Sequence, residues 1–149
     1  MSKQIDYVKY NSDTEQVEVY YNGKIVEKYK YDLVTYLDET CNLYGSTYQG
    51  RKASYQKLTK SKQKPAVLVS LIDEVLLFPN KSLVNDDCVM INYYNIAKIV
   101  GSERRYTKIY FLNKSELLLG VDSRIIKGQE KRCSRFVDYL EQNIRSLDD

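Results

Sequence analysis

The chain has 149 residues, a length typical of one domain that can bury a hydrophobic core without disulfides or metal. Its residues are 43% hydrophobic and 29% charged, with six glycines and two prolines, which excludes disordered and fibrous classes and predicts a single domain over residues 1–149. The net charge is only +3, so a strongly basic surface can arise only from the local placement of charge.

The first predicted elements are strands within residues 4–31, followed by a helix. Asn22-Gly23, between two β-prone runs, is a strong hairpin signal. The helix is expected to begin at Leu33, with Asp32 as its N-cap and Gly45 at its end. Four side chains recur on one face of this helix at helical spacing: Leu33, Leu37, Cys41 and Tyr44.

Residues 44–65 are predicted to form a loop that contains one short helix around Ala53 to Leu58. After Pro65 the pattern returns to short strands, "AVLVS", "VLLFP" and "CVMINYYNI". Tyr93 and Tyr94 in the last of these are expected on opposite faces of one strand. A second hairpin, "TKIYFL" to "ELLLGV", is expected to turn at residues 113–115.

Residues 128–147 are predicted to form an amphipathic C-terminal helix. Its apolar stripe consists of Cys133, Phe136, Val137, Leu140, Ile144 and Leu147. The whole chain is therefore predicted to be an α+β fold, mainly antiparallel sheet, with an internal helix and this C-terminal helix packed on it.

The strongest functional signal is a segment with positive charge only. No acidic residue occurs between Glu39 and Asp73, whereas Arg51, Lys52, Lys57, Lys60, Lys62 and Lys64 lie within it. Charges of one sign repel each other, so such a segment is stabilised by an anion, and the nucleic acid backbone is a repeating anion. We therefore hypothesise a DNA-binding site that comprises Ser46, Tyr48, Gly50, Arg51, Lys52, Lys57, Lys60, Lys62 and Lys64.

Several other readings of this charge stay open. A basic run is often a solvated loop, and it can also dock an acidic protein partner. A membrane surface is less favoured because no amphipathic helix with an aromatic apolar face adjoins the segment. A second basic face on the C-terminal helix is either solvated or a secondary DNA contact, and it consists of Arg124, Lys127, Lys131 and Arg135.

The same segment resembles the ComK competence transcription factors of Gram-positive bacteria. The similarity lies in "YGSTYQGRK" (residues 44–52), Leu58-Thr59 and Lys64-Pro65. It continues in Phe78-Pro79, Ser82, Cys88 and "INYYNI" (residues 91–96), so that it spans about residues 40 to 96.

This resemblance implies a sequence-selective activator of competence genes that binds A/T-rich double-stranded DNA from the minor-groove side as a dimer or higher oligomer. Narrow A-tract minor grooves attract inserted Arg and Lys. We hypothesise that Arg51 lies in or beside such a groove and that the lysines contact phosphates. The sequence does not predict whether the adaptor and protease control of the best-known members applies here.

Enzymatic and metal-binding alternatives have weaker support. The chain has no histidine, which removes the usual general base and the commonest transition-metal ligand. Cys41, Cys88 and Cys133 are far apart and odd in number, which favours buried, reduced thiols over zinc or a disulfide. A metal-dependent nuclease would require carboxylates such as Asp73-Glu74 or Asp86-Asp87, which are more typical of turns.

We therefore expect a protein that is not an enzyme and that has no metal or cofactor. The start "MSKQIDYVKY" lacks the apolar region of a signal peptide, and no apolar run approaches the ~18 residues of a membrane span. A cytoplasmic protein associated with the nucleoid, and without a membrane partner, is the resulting expectation.

Overall fold

The computed structural model describes residues 4–103 and 105–148, with the side chains of the last helix as far as residue 145. Within this part the chain forms two antiparallel sheets, three α-helices and one short 3₁₀ turn, so the predicted α+β class is confirmed. The strands are β1 (Tyr7–Asn11), β2 (Gln16–Tyr21), β3 (Lys24–Tyr29), β4 (Val67–Ser70), β5 (Val75–Pro79), β6 (Val89–Asn92), β7 (Ile96–Gly101), β8 (Thr107–Phe111) and β9 (Glu116–Leu119). The helices are α1 (Leu33–Asn42), α2 (Tyr48–Thr59) and α3 (Ser123–Asp148).

The fold is layered around the larger sheet, whose strand order is β3-β2-β1-β6-β5-β4. Alternate residues of a strand point to opposite faces, so Val67 and Val69 of β4 enter one core and Leu68 enters the other. The first core lies between this sheet and α1. The second core lies between the sheet, α3 and the smaller sheet β7-β8-β9.

The predicted hairpin and the first helix are confirmed. Asn22 and Gly23 connect β2 and β3 with φ of 54° and 76°, the left-handed conformation that a tight hairpin turn requires. The carboxylate of Asp32 accepts a hydrogen bond from the Thr35 amide at 2.8 Å, which caps α1. Gly45 follows the end of α1 with φ of 74°.

The predicted loop over residues 44–65 is mostly helical instead, because α2 occupies Tyr48–Thr59. Thr47 caps α2 by accepting a hydrogen bond from the Gly50 amide at 3.0 Å. The Tyr48 amide donates to the Asp38 carboxylate of α1 at 2.9 Å. These two bonds satisfy amides of the first turn, so α2 begins five residues earlier than the predicted short helix.

The predicted strand "CVMINYYNI" is wrong as a single element. β6 ends at Asn92, whose side-chain oxygen accepts from the Tyr94 amide at 3.3 Å and caps the 3₁₀ turn Tyr93–Asn95. The chain then continues as β7 in the smaller sheet. Tyr93 and Tyr94 therefore lie in a turn, both half-buried, and not on opposite faces of one strand.

The C-terminal helix begins earlier than predicted, at Ser123 instead of residue 128. Phe136 and Val137 of its predicted stripe are buried, whereas Ile144 is 45% exposed because α3 extends beyond the second core. The side chain of Leu147, the last residue of that stripe, lies outside the described residues.

Candidate nucleic-acid interface

The basic segment covers one edge of the larger sheet. β4 is an edge strand, and α2 packs against it while contacting α1 on one side and α3 on the other. Two tyrosines anchor the helix, since Tyr48 enters the first core and Tyr55 enters the second. The remaining face of α2 is directed away from the sheet, and it carries the positive charge.

The lysines of the segment are brought together at the end of α2. Lys57, Lys60 and Lys62 are exposed and line one shallow depression of about 470 Å³. Lys60 adopts a left-handed conformation, with φ of 57°, and ends the helix. The predicted lysines at the end of the segment therefore form one surface, which we call the lysine surface (Lys57, Lys60 and Lys62).

A groove adjoins this surface on the other side of α2. Lys52, Lys62 and Lys64 line a cavity of about 410 Å³, together with Ser82–Val84 of the loop between β5 and β6. Lys62 therefore belongs to both concavities. Within the described residues, none of the six cations of the segment forms an ion pair, so their charge is uncompensated locally.

Arg51 has a different environment from the lysines. Its side chain is half-buried, and its Nε atom is buried without a hydrogen-bond partner among the described residues. The guanidinium lies near the Cys41 thiol of α1, whose pKa is raised by burial to about 11 although the positive charge of Arg51 acts to lower it. Arg51 therefore packs partly against α1.

The other predicted site residues contribute mainly to the shape of this region. Tyr48 is only 6% exposed, so its ring is a core group, and Lys52 Nζ lies 5.9 Å from the ring centroid. A side chain at Gly50 would place its Cβ 3.0 Å from Thr47 Oγ1, which leaves little room beside the cap. The Ser46 amide donates to the Cys41 carbonyl at 3.1 Å and closes the turn between the helices.

Three of the four residues predicted as a secondary DNA contact are exposed and form no ion pair among the described residues. Lys127, Lys131 and Arg135 are exposed on α3. Arg124 instead forms an ion pair with Asp122 at 2.8 Å. The hydrogen bonds that Arg124 donates to the Asp122 carboxylate, together with its positive charge, hold the pKa of that carboxyl well below its usual range. Arg124 is therefore occupied by a neighbouring carboxylate.

Two residues that sequence reasoning missed connect α3 to the basic segment. Gln129 is fully buried, and its amide donates to the Lys64 carbonyl at 3.1 Å and to the Pro79 carbonyl at 3.0 Å. Arg132 Nη2 donates to Gln129 Oε1 at 2.7 Å. The sequence does carry a signal for Gln129, because it lies four residues before Cys133 and therefore on the apolar stripe of α3. A polar side chain on a buried stripe requires hydrogen-bond partners in a neighbouring element.

The carboxylates considered for a nuclease lie in turns. Asp73 and Glu74 connect β4 to β5, and Asp87 pairs with Lys81 at 2.7 Å in the loop before β6. Among residues 4–103 and 105–148, no three His, Cys, Asp or Glu side chains are grouped to hold a metal ion. Cys41, Cys88 and Cys133 are free and buried.

No helix in the described part of the chain combines the length and the apolar character that crossing a bilayer requires.

The sequence of this chain is similar to that of a known protein family. The ComK protein family pattern matches residues 8–145. The competence transcription factor of Bacillus subtilis (strain 168) is 26% identical over 142 residues, covering 87% of this chain and 72% of that protein. No solved structure matches. Because the family pattern covers nearly the whole chain, including the lysine surface and α3, the chain belongs to the ComK protein family.

Proposed function

We propose that this protein is a transcription regulator that binds A/T-rich double-stranded DNA through the lysine surface, in the manner its ComK family membership implies. The observation that carries the proposal is the segment from residue 40 to residue 72, which has no carboxylate and places Lys57, Lys60 and Lys62 together on one exposed surface. Uncompensated cations at this density match a phosphate backbone.

The dimensions of DNA suggest how this surface meets a minor groove. An α-helix with side chains is about 10–12 Å wide, whereas the minor groove of B-DNA is about 6 Å wide, so α2 cannot enter it. We infer that α2 lies over the phosphates, which Lys60 and Lys62 contact at the end of the helix. Arg51, in the first turn of α2 and partly packed on α1, is the proposed side chain for the minor groove.

A homo-oligomer completes the proposal. One lysine surface contacts few phosphates, and two copies on successive half-sites gain affinity because the second binding event becomes intramolecular. Lys127, Lys131 and Arg135 of α3 are proposed secondary contacts, since α3 packs against α2. Non-covalent recognition of this kind requires no cofactor and no catalysis, and we propose that the protein acts at the nucleoid in the cytoplasm.

The test is fluorescence anisotropy with an A-tract duplex and a G·C-rich duplex of equal length, across several salt concentrations and without added metal. We expect tighter binding to the A-tract duplex and a steep dependence on salt. Equal and weak binding to both duplexes would overturn the proposal, and metal-dependent cleavage would indicate a nuclease instead.

Single substitutions then locate the surface. Lys60→Gln or Lys62→Gln should weaken binding to both duplexes and reduce the salt slope by about 0.9 per lost phosphate contact. Lys28→Gln, on β3 at the opposite edge of the sheet, is the matched control and should change neither. Arg51→Ala should reduce the A/T preference; if preference and affinity both stay intact, Arg51 is not at the interface.

A further inference from the structure

The groove lined by Lys52, Lys62 and Lys64 adjoins a second cavity. Val34 of α1 and Leu83 line both the 410 Å³ cavity and a second cavity of about 230 Å³, so the two cavities adjoin. The first cavity carries Lys52, Lys62 and Lys64, and the second carries Asp32 and Asp86. The combined groove is thus basic at one end, apolar in the middle and acidic at the other end.

Both walls of this groove are held in place by hydrogen bonds. Gln129 of α3 connects the two walls, because its side-chain amide donates to the carbonyls of both Lys64 and Pro79. Gln56 Nε2 donates to the Lys62 carbonyl at 3.3 Å on the α2 side. In the opposite wall, the loop between β5 and β6 is closed by hydrogen bonds from the Asn85 amide to the Ser82 carbonyl and from the Cys88 amide to the Asn85 carbonyl, both at 3.1 Å. A groove formed before binding loses little conformational entropy when it is occupied.

The apolar side chains of the groove include two that the core does not use. Val34, which both cavities share, is 41% exposed, and Val84, which lines the 410 Å³ cavity, is 88% exposed. DNA phosphates do not require aliphatic contacts, and Asp32 and Asp86 at the far end would repel a polyanion. The groove is also sized for side chains, whereas a duplex would lie across its rim on the lysine surface.

We propose that this groove binds an extended peptide segment of a protein partner. The segment would have carboxylates at one end for Lys52, Lys62 and Lys64, aliphatic side chains in the middle for Val34 and Val84, and a cation at the other end for Asp32 and Asp86. Complementary charge at both ends sets the orientation, and the aliphatic contacts supply affinity. The site stands independently of DNA binding, although Lys62 belongs both to it and to the lysine surface.

The experiment uses two fluorescein-labelled probe peptides, DDDLSLSKK and its reverse KKSLSLDDD, titrated with the full chain in the absence of DNA. The control peptide DKLDSLKDS has the same composition with interspersed charges. We expect saturable binding of at least one probe and at least about tenfold weaker binding of the control, because only clustered charges match the two ends.

Variants assign this binding to the groove. The double variant Val34→Ser with Val84→Ser should weaken the probe at least about tenfold through lost aliphatic contact. Both side chains are exposed, so the fold is retained, and Ile72→Ser is the matched control because Ile72 is 93% exposed outside the groove. Lys62→Gln should also weaken the probe.

Four results of the peptide titrations would overturn the inference. These are no binding of either probe, equal binding of the control peptide, an unchanged affinity in the double variant, and an equal loss in Ile72→Ser. An A-tract duplex provides the final arm: if the double variant loses DNA affinity as strongly as probe affinity, the groove is part of a DNA surface and not a peptide site. If the probe binds while DNA does not, the groove stands and the proposed function fails.

Discussion

At the scale of single residues, Asp6 connects more of the molecule than any residue singled out by its sequence pattern. It is fully buried, and its carboxylate accepts hydrogen bonds from the Asn22 amide at 2.9 Å, Asn95 Nδ2 at 3.0 Å and Asn113 Nδ2 at 2.7 Å. These donors belong to the β2–β3 turn, the 3₁₀ turn and the β8–β9 turn, so one carboxylate joins both sheets.

Replacing Asp6 should therefore destabilise the fold. Asp6→Ala removes the acceptor of these three hydrogen bonds and of a longer fourth one from Ser115 Oγ at 3.4 Å, and we expect a loss of about 2–4 kcal/mol in the free energy of unfolding. Urea denaturation followed by circular dichroism measures it. Asp13→Ala, in the exposed turn between β1 and β2, is the control and should change stability by less than about 0.5 kcal/mol. Equal effects of the two substitutions would contradict the role of Asp6.

The cysteines lead to a second prediction at this scale. Burial raises the pKa of the Cys41 and Cys88 thiols to about 11, so almost no thiolate exists at pH 8. We expect the native protein to react very slowly with Ellman's reagent at pH 8 and to react at all three cysteines once it is unfolded in guanidinium. Rapid reaction of the native protein would show that these thiols are accessible.

The same shift predicts a pH dependence of stability. The folded thiol pKa lies above the unfolded value of about 8.5, so the unfolded state releases its protons first as pH rises. The thiol contribution to stability is therefore complete below about pH 8.5 and decreases toward pH 11. Denaturation midpoints measured across this window would check the direction.

At the scale of elements, the approach of β7 to α3 depends on a glycine. A Cβ at Gly101 would lie 2.6 Å from Ser123 Cβ and would also overlap Ser123 Oγ, both at the first residue of α3. Gly101→Ala must therefore displace the start of the helix, and we expect a loss of about 1–3 kcal/mol. Thermal unfolding should show it as a lower Tm.

Gly120→Ala is the matched control for Gly101→Ala. Its added Cβ would meet only Tyr106 Cε1 at 3.9 Å, an ordinary contact, and Gly120 has no positive φ. A Tm for Gly101→Ala equal to that of Gly120→Ala would mean that β7 and α3 separate without cost.

The two edges of the larger sheet are protected in different ways. α2 covers the β4 edge, whereas the β3 edge has a register shift between Val19 and Tyr20 of β2 and carries Lys24 and Lys28. Irregular pairing and lysines both oppose strand addition by another chain. The basic helix therefore has a structural task at the sheet edge in addition to its proposed contact with DNA.

At the scale of the whole molecule, the proposed dimer predicts that DNA affinity depends on the spacing between two A-tracts relative to the helical repeat. Two lysine surfaces related by a two-fold axis reach the same side of a duplex only when the half-sites are separated by whole helical turns, about 10.5 base pairs each. Duplexes with A-tracts spaced by about 10 or about 21 base pairs should bind more tightly than one spaced by about 15. Anisotropy titrations of equal-length duplexes measure this, and an affinity that ignores spacing would contradict paired binding.

The elements that could be predicted have strong local signals. Asn22-Gly23 requires a left-handed turn, and Asp32 caps α1 from the adjacent residue, so neither depends on distant contacts. α2 could not be predicted at full length because Gly50 disfavours a helix and the segment has no continuous apolar stripe, since Tyr48 and Tyr55 are its buried residues. Its helix depends on the burial of Tyr48 and Tyr55 in two separate cores.

The candidate site divides in the same way. The amino-acid sequence by itself determined the segregation of positive charge, the absence of histidine and the likeness to the ComK family, because these depend only on which residues occur and in what order. Only the tertiary structure decided that Lys57, Lys60 and Lys62 share a surface and that Tyr48 is buried. The physical reason is that such contacts join residues far apart in the chain and form only when distant elements pack together. The hydrogen bond from Gln129 to the Lys64 carbonyl, across 65 positions, is an example.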